Sequence, residues 1–551
     1  SNKDALTAQW IIGSQDRTVE VALSPSEYYN TQNTQITVTS ENPDAVEVSG
    51  MTLRAVGAGT SVITVSAGDK NDTFTVSVEI GAPQITVAKE TIEVLQDTPA
   101  YLLEGVTVKS CDGSDLKSSL SVELSDPDKM TYSFENLTVS EGQNVVLDLN
   151  GRTLSGNANA PTVTVNGGKL SVEDNTAASA PSVDGSYEVS YASGSITGTQ
   201  NAVVIFNNGS FTLESGKLVS TGDCGVYAGA KNGGIGTAVI NGGYIHAREY
   251  GVGVMMEGSS VTVNGGVIEA DDNAAVAGNG TTGVGGTTIN ISGGTLISHI
   301  ISNGYIACGI YHPQNGTLNV SGGTIYADGG VGILMRAGSA NITGGEIIAT
   351  GSGTGKVGDS TVLNGHYGIL FDTSSNYPGM TAEDVVKISG TASVQSEEPS
   401  LSVTGTGTNH RIEVSGGTFS SDVTNFVVKG AEVYKDENGN FGIRPAQGSA
   451  VAINGVGYTT MQDAVDAIAT SESKTGTITV LKDIPDATGV KVREGLNLTI
   501  DFAGHTYTLS GPGAGSTNTE TNGFQLLKDS NIVFKNGTIN IAKNANTLKR
   551  M

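Results

Sequence analysis

Short runs that alternate apolar and polar residues, closed by turn residues, fill most of the chain, which is the pattern of half-buried strands. The first group lies within residues 18 to 80, and its clearest members are Gln35-Ile-Thr-Val-Thr, Val46-Glu-Val-Ser, Ser61-Val-Ile-Thr-Val-Ser and Thr73-Phe-Thr-Val-Ser-Val-Glu-Ile. They predict a small β-sandwich over 1–82. Gly81-Ala-Pro reads as a linker, and weaker runs around Val106-Thr-Val and Leu120-Ser-Val-Glu-Leu predict a second small β module over 83–130.

From about Asn136 one phrase repeats: a β-branched strand, Asn, Ser or Thr, Gly-Gly, then another short strand. Examples are Val163-Thr-Val-Asn-Gly-Gly-Lys-Leu, Val261-Thr-Val-Asn-Gly-Gly-Val-Ile and Leu318-Asn-Val-Ser-Gly-Gly-Thr-Ile. The first glycines at 242, 265, 293, 322 and 344 are 22 to 29 residues apart, and a degenerate Gly390 and Gly416 continue the series. That period is one coil of a parallel β-helix. A third strand follows each corner, as in Gly225-Val-Tyr-Ala, Gly251-Val-Gly-Val, Gly309-Ile-Tyr-His, Gly332-Ile-Leu-Met and Gly368-Ile-Leu-Phe. Three strands per coil stack on their equivalents about 4.8 Å away, with Val, Ile and Leu laddered inside. The expected fold is therefore all-β, with a parallel β-helix over 131–446; an array of β-sandwiches would lack this period.

A second start follows. Glu141, Asn144, Asp148, Gly151 and Thr153 recur as Glu494, Asn497, Asp501, Gly504 and Thr506, all offset by 353. Before the copy, Met461, Ala464, Val465 and Ile468 fall at helical spacing, with Thr460 as N-cap and Asp463 three residues on. This amphipathic helix is expected to lid a second β-helix over 447–551. Further coils are expected after Met551, with the residues beyond about Asn522 the least protected part.

Composition narrows the class. Glycine fills 76 of 551 positions without a Gly-X-Y period, and proline only 13, which excludes collagen; the evenly spread apolar residues exclude global disorder. With 29 basic against 55 acidic residues the net charge is −26, so nucleic acid and anionic membrane surfaces are not expected partners. No run approaches the 18 apolar residues of a membrane span. Cys111, Cys224 and Cys308 are odd in number and lack metal-ligand spacing, so no disulfide framework is expected. The chain opens at Ser1 without an apolar leader and reads as a processed or trimmed piece.

Ser40-Glu-Asn-Pro-Asp-Ala-Val-Glu-Val-Ser-Gly followed by Ala55-Val-Gly-Ala-Gly-Thr-Ser-Val-Ile-Thr-Val resembles the group 2 bacterial immunoglobulin-like domain. Such domains act as spacers or adhesive units on bacterial surfaces and phage particles. Residues 136 to 445, through Asp148-Leu-Asn-Gly-Arg-Thr-Leu and the Gly-Gly-Thr-Ile corners, resemble the pectate-lyase-like right-handed parallel β-helix family. The likeness is closer to glycine-rich β-helices of surface proteins from gut Firmicutes. This family includes lyases, hydrolases, tailspikes and adhesins, so the likeness implies architecture and no particular activity.

For catalysis, Asp223, Asp271 and Asp272 resemble polygalacturonase aspartates. That family's Gly-His-Gly and Arg-Ile-Lys motifs are missing; Gly365-His-Tyr and His410-Arg-Ile are only fragments. For binding, the fifth residue after each corner gives the file Arg248, Asp271, His299 and Asp328, and the third gives His246, Glu269, Ile297 and Tyr326. The third strand adds Tyr227, Tyr311, Leu334 and Arg336. Read as outward, Tyr227, His246, Arg248, Asp271, His299, Tyr311, Tyr326 and Arg336 offer ring faces and hydrogen-bonding groups suited to sugars. His246, His299, His312 and His366 sit at differing corner positions without i, i+2 pairing, so neither a metal nor a cofactor is expected. The reading is an extracellular, cell-surface or wall-attached adhesin that binds polysaccharide or host-surface glycans. A polysaccharide lyase or glycoside hydrolase, and a phage fibre or decoration protein, are the alternatives.

Overall fold

In a computed structural model of the chain, strand takes up 54% and helix 4%, so the protein is all-β. The structure describes residues 2–8, 10–22, 24, 35–81, 84–87, 106–109, 121–126, 129–133, 137–156, 160–229, 234–280, 285–299, 307–351, 354–357, 361–364, 366–374, 377, 379–405, 411–515, 520 and 522–542. Cys111 and His410 lie outside them. The chain divides into two compact units, one of Ser1–Asn290 with Gly294–Asn303, the other of Ile291–Gly293 with Gly304–Met551.

The first unit begins with two small sheets around one core. Trp10–Ile11, Lys70–Glu79, Gly59–Ala67 and Ile36–Ser40 form one sheet; Arg17–Thr18, Thr52–Ala55 and Val46–Ser49 form the other. Alternation decides which side chains go inside: Phe74, Val76 and Val78 are buried while Thr73, Thr75 and Ser77 face out. With Leu6, Trp10, Leu53 and Ile63 they make the core. Gln84–Val87 pairs antiparallel with Val106–Lys109, and Ser121–Asp126 with Lys129–Ser133.

From Leu137 the pairing becomes parallel and in register. One ladder climbs through Leu137–Ser140, Val163–Asn166, Val203–Phe206, Cys224–Ala228, Tyr250–Val254 and Ala274–Gly278. A second runs through Asn144–Asp148, Lys169–Glu173, Gly209–Leu213, Gly236–Ile240 and Ser260–Val263. The third runs through Thr153–Ser155, Ser195–Gly198, Lys217–Ser220, Tyr244–Ala247, Val267–Ala270 and Thr295–Ser298. Three parallel ladders, one strand of each per coil, fit a β-helix. Their inward positions stack like on like: Val163, Val203, Val226, Val252 and Val276 are all fully buried. At the Gly-Gly corners the second glycine takes φ of +74°, +77° and +79° at Gly243, Gly266 and Gly294, a region that side-chain-bearing residues rarely enter.

The second unit repeats this plan. Cys308–His312, Val331–Met335, Ile369–Asp372 and Leu401–Thr404 form one parallel ladder. Gly316–Ala327 and Ser339–Ala349 run straight through their corners as long strands, with the register slipping at the glycines. The antiparallel hairpin of Ala431–Lys435 and Phe441–Pro445 closes against Thr418–Phe419. Beyond it, Thr475–Val480, Asn497–Asp501 and Asn531–Lys535 stack in parallel, beside Ile484–Thr488, Thr506–Gly511 and Thr538–Ile541. Helix Met461–Thr470 covers this core with Met461, Ala464, Val465 and Ile468, the four residues its spacing marks. Thr460 Oγ1 accepts from the Asp463 amide at 3.1 Å and donates to its carboxylate at 2.7 Å. The duplicated corner is also real: Asp148 accepts from the Asn150 amide at 3.0 Å and Asp501 from the Ala503 amide at 2.8 Å. Among the described residues no helix is long and apolar enough to cross a membrane.

Candidate functional site

In the third ladder of the first unit the Cα register pairs His246 with Glu269 and Glu269 with Ile297. One step past the strand ends, the Asp271 amide donates to Ala247 O and the His299 amide to Ala270 O, both at 3.0 Å, so Arg248, Asp271 and His299 continue the register. The two files hold as far as Ile297 and His299, and the period of two turns their polar members to the same side, whereas Ile297, expected outward, is fully buried. What the files do next depends on side-chain reach. His246 Nε2 donates to Asp271 Oδ1 at 2.9 Å, running diagonally to the next coil. His299 Nε2 donates back to Glu269 Oε1 at 3.2 Å, and Tyr244 Oη donates to Glu269 Oε2. The Tyr244 ring stacks on His246 with centroids 5.8 Å apart and planes 12° from parallel, and Lys217 Nζ lies 5.7 Å over the same ring. Arg248 Nε pairs with Asp272 Oδ2 at 3.1 Å.

These contacts set the protonation states. The hydrogen bond to Asp271 raises the pKa of His246, against the opposing effect of burial. Burial pushes the Glu269 carboxyl up, yet hydrogen bonds from His299 and Tyr244 outweigh it and leave it below its ordinary value. Burial, then the bond to Glu269, raises the Tyr244 hydroxyl well above its ordinary value, so it remains a donor. The cluster is half-buried: side-chain exposure is 35% for His246, 31% for Asp271, 20% for His299 and 13% for Glu269. His246, Glu269 and Asp271 each offer one ligand atom, all within 4.8 Å of one another, a set that can hold a metal ion. His246 and His299 have no i, i+2 imidazole partner of their own; they meet instead Glu269 and Asp271, two residues apart on the coil between them.

The aspartates proposed for catalysis separate. Asp271 joins the imidazole cluster, while Asp272, in the bend that follows strand Val267–Ala270, pairs with Arg248. Asp223 accepts from Cys224 Sγ at 3.3 Å. Between these coils lies Glu249, which sequence reasoning missed; burial raises its carboxyl, the charges of Asp223 and Asp272 add to the effect, and Arg248 opposes it. Tyr227 is half-buried, with its hydroxyl raised chiefly by burial.

In the second unit four of the residues expected to face outward, Tyr311, Tyr326, Leu334 and Arg336, are buried, while Asp328 is exposed. Arg336 is fully buried, with Nη2 3.0 Å from Asp372 Oδ2, itself fully buried. The Tyr377 ring lies 4.8 Å from its guanidinium carbon and the Tyr311 ring 6.0 Å, and the two tyrosine hydroxyls are 2.9 Å apart. Tyr311 is 8% exposed, Tyr326 9% and Leu334 none, so these side chains are covered and do not form open stacking surfaces. Tyr377 belongs to a long connection after Ile369–Asp372 that folds back over the coil. His312 is buried with Nδ1 donating to Ala337 O at 3.0 Å, and burial lowers its pKa; burial likewise lowers that of His366. Asp328 accepts from Thr350 Oγ1 at 3.2 Å.

Comparison of the chain with protein-family models, with curated proteins and with solved structures gives no match.

Proposed function

We propose that the chain is a surface-displayed, extracellular binding protein. In this reading an immunoglobulin-like module over 1–82 spaces a right-handed parallel β-helix, and the outer face of the helix meets polysaccharide or host-surface glycans. The observation that carries the reading is the polar file of Tyr244, His246, Arg248, Glu269, Asp271 and His299, held by a rigid ladder with side chains cross-bonded rather than loose. Fixed donors and acceptors at coil spacing suit a ligand rich in hydroxyls, because little side-chain entropy remains to be lost on binding. A net charge of −26 favours neutral over acidic glycans. The test is a glycan array on the full chain and on Arg248→Ala and His299→Ala, with reducing-sugar and unsaturated-product assays run in parallel. Binding without turnover, weakened in both variants, is expected; binding undiminished in both would move the site elsewhere.

One observation favours the hydrolase reading. Burial, and then the neighbouring carboxylates Asp223 and Asp272, raise the Glu249 carboxyl, which is the direction of shift that a general acid requires. Release of reducing ends that disappears in Glu249→Gln would establish that reading over the adhesin.

A further inference from the structure

We propose that His246, Glu269 and Asp271 bind one divalent transition-metal ion of the zinc class, with Tyr244 and His299 as the residues that position Glu269. The proposal goes beyond glycan binding and does not depend on it. Its starting point is geometry. The three ligand atoms already lie within 4.8 Å of one another, and His246 Nε2 and Asp271 Oδ1 are 2.9 Å apart. Zinc bonds of about 2.0 to 2.2 Å in a tetrahedral site place neighbouring ligand atoms roughly 3.3 Å apart, so side-chain rotation alone closes the set.

Backbone displacement is not needed, because the ladder holds the ligands. His246 and Glu269 are Cα partners on adjacent parallel strands, and Asp271 follows Glu269 by two residues on the same face. Such a site is preorganised to the precision of a β-ladder rather than of a loop.

The surrounding groups match what ligands require. Metal-bound carboxylates and imidazoles are usually held by a second layer of hydrogen bonds and packing. Here Tyr244 Oη and His299 Nε2 each take one oxygen of Glu269, and the Tyr244 ring stacks on His246 and fixes its plane. The local charge also fits: two carboxylates with neutral imidazoles give a site of −2, and the nearby Arg248 is engaged by Asp272. On binding, protonated His246 releases to solvent the Nε2 proton it shared with Asp271 and keeps the one on Nδ1, so a neutral imidazole gives its Nε2 lone pair to the metal.

The donor set chooses the metal. An imidazole with carboxylates suits zinc, cobalt, nickel or copper, whereas calcium and magnesium call for six or more oxygens. Three protein ligands leave one position of a tetrahedral ion open to water or to an added ligand. Side-chain exposures of 13% to 35% leave the set reachable from solvent, unlike the fully buried Asp372.

The experiment is isothermal titration of the chelator-stripped full chain with zinc, with cobalt absorption as the readout of coordination. One zinc per chain is expected, with the intense visible bands of four-coordinate cobalt. His246→Ala and Glu269→Gln should each weaken zinc by at least about tenfold and bleach the cobalt bands, and Tyr244→Phe and His299→Gln should weaken it by about tenfold. His505→Ala, which removes an imidazole beside Asp483 in the second unit, should leave zinc affinity unchanged. Circular dichroism identifies any variant that fails to fold, and the near-isosteric Glu269→Gln carries the test if His246→Ala does. Wild-type zinc affinity in Glu269→Gln, calcium bound as tightly as zinc, or no zinc at one per chain would each overturn the proposal.

Discussion

Adding a single methyl group at Gly251 tests why glycine recurs at the start of the third strand of the coil. A Cβ built there would lie 2.2 Å from Ile268 Cγ2 and 2.6 Å from the Ala275 carbonyl oxygen. Its φ is not in the left-handed region, so packing and not backbone conformation excludes the side chain. Ile268 is fully buried and cannot swing out, and the carbonyl belongs to the next coil. Overpacking of this kind costs about 1 to 3 kcal/mol, while the loss of glycine's freedom in the unfolded chain returns about 0.4 to 1 kcal/mol. Contacts this far inside van der Waals range put the cost at its upper end, for a net loss of about 2 kcal/mol. At roughly 2 to 4 °C per kcal/mol for a unit of this size, Gly251→Ala should melt about 4 to 8 °C below wild type by circular dichroism. Amide exchange should rise first around 245–280. Gly523→Ala is the control, since its Cβ would meet nothing within 4 Å. In an Ile268→Ala background, itself destabilised by about 2 to 5 kcal/mol, Gly251→Ala should cost less than in the wild type but not nothing, because the Ala275 carbonyl contact remains. A melting point for Gly251→Ala within about 1 °C of wild type would refute the close-approach argument for all five such glycines, since Gly225, Gly309, Gly332 and Gly368 meet the same pair of obstacles at 2.3 to 2.8 Å.

Arg336→Met should cost about 3 to 5 kcal/mol in urea unfolding of the second unit by removing the only cation paired with buried Asp372 among the described residues, and adding Asp372→Leu should recover only part of it, because Asp372 Oδ1 also accepts from the Ser374 amide at 3.0 Å and the Thr404 hydroxyl at 2.8 Å. At Asp174, burial pushes the carboxyl up, but bonds from the Thr176 hydroxyl and the Gly194, Thr176 and Gly151 amides outweigh it and hold the pKa below its ordinary value. Its stabilisation is therefore full above the unfolded-state value of about 3.9 and lost as pH falls through the folded value; Asp174→Asn should flatten that part of a stability profile measured from pH 5 down to pH 2. Thr460→Ala should cost about 1 kcal/mol and speed exchange of the Asp463 amide, which loses its acceptor.

Features that repeat with the backbone were readable from the order of residues. A coil of fixed length needs glycine where the chain turns at positive φ or passes close to the next coil, and inward valines and isoleucines at every second position; each requirement leaves a mark at a fixed interval. Hence the three strands per coil, the outward direction of His246, Glu269 and Asp271, and the buried face and N-cap of helix Met461–Thr470 were all legible in advance. Tertiary structure decided whatever depends on reach between coils or on the connections that leave them. The bond from His246 to Asp271 is diagonal, so it follows from rotamers that no period encodes, and Tyr244 and Glu249 gained their roles only from neighbours on adjacent coils. Arg336 looked outward by alternation, but Asp372, at the end of the neighbouring strand of its ladder, pairs with the guanidinium, and the connection carrying Tyr377 folds back over it. Such connections vary in length from coil to coil and are held by long-range contacts, so what they cover has no signature in local sequence.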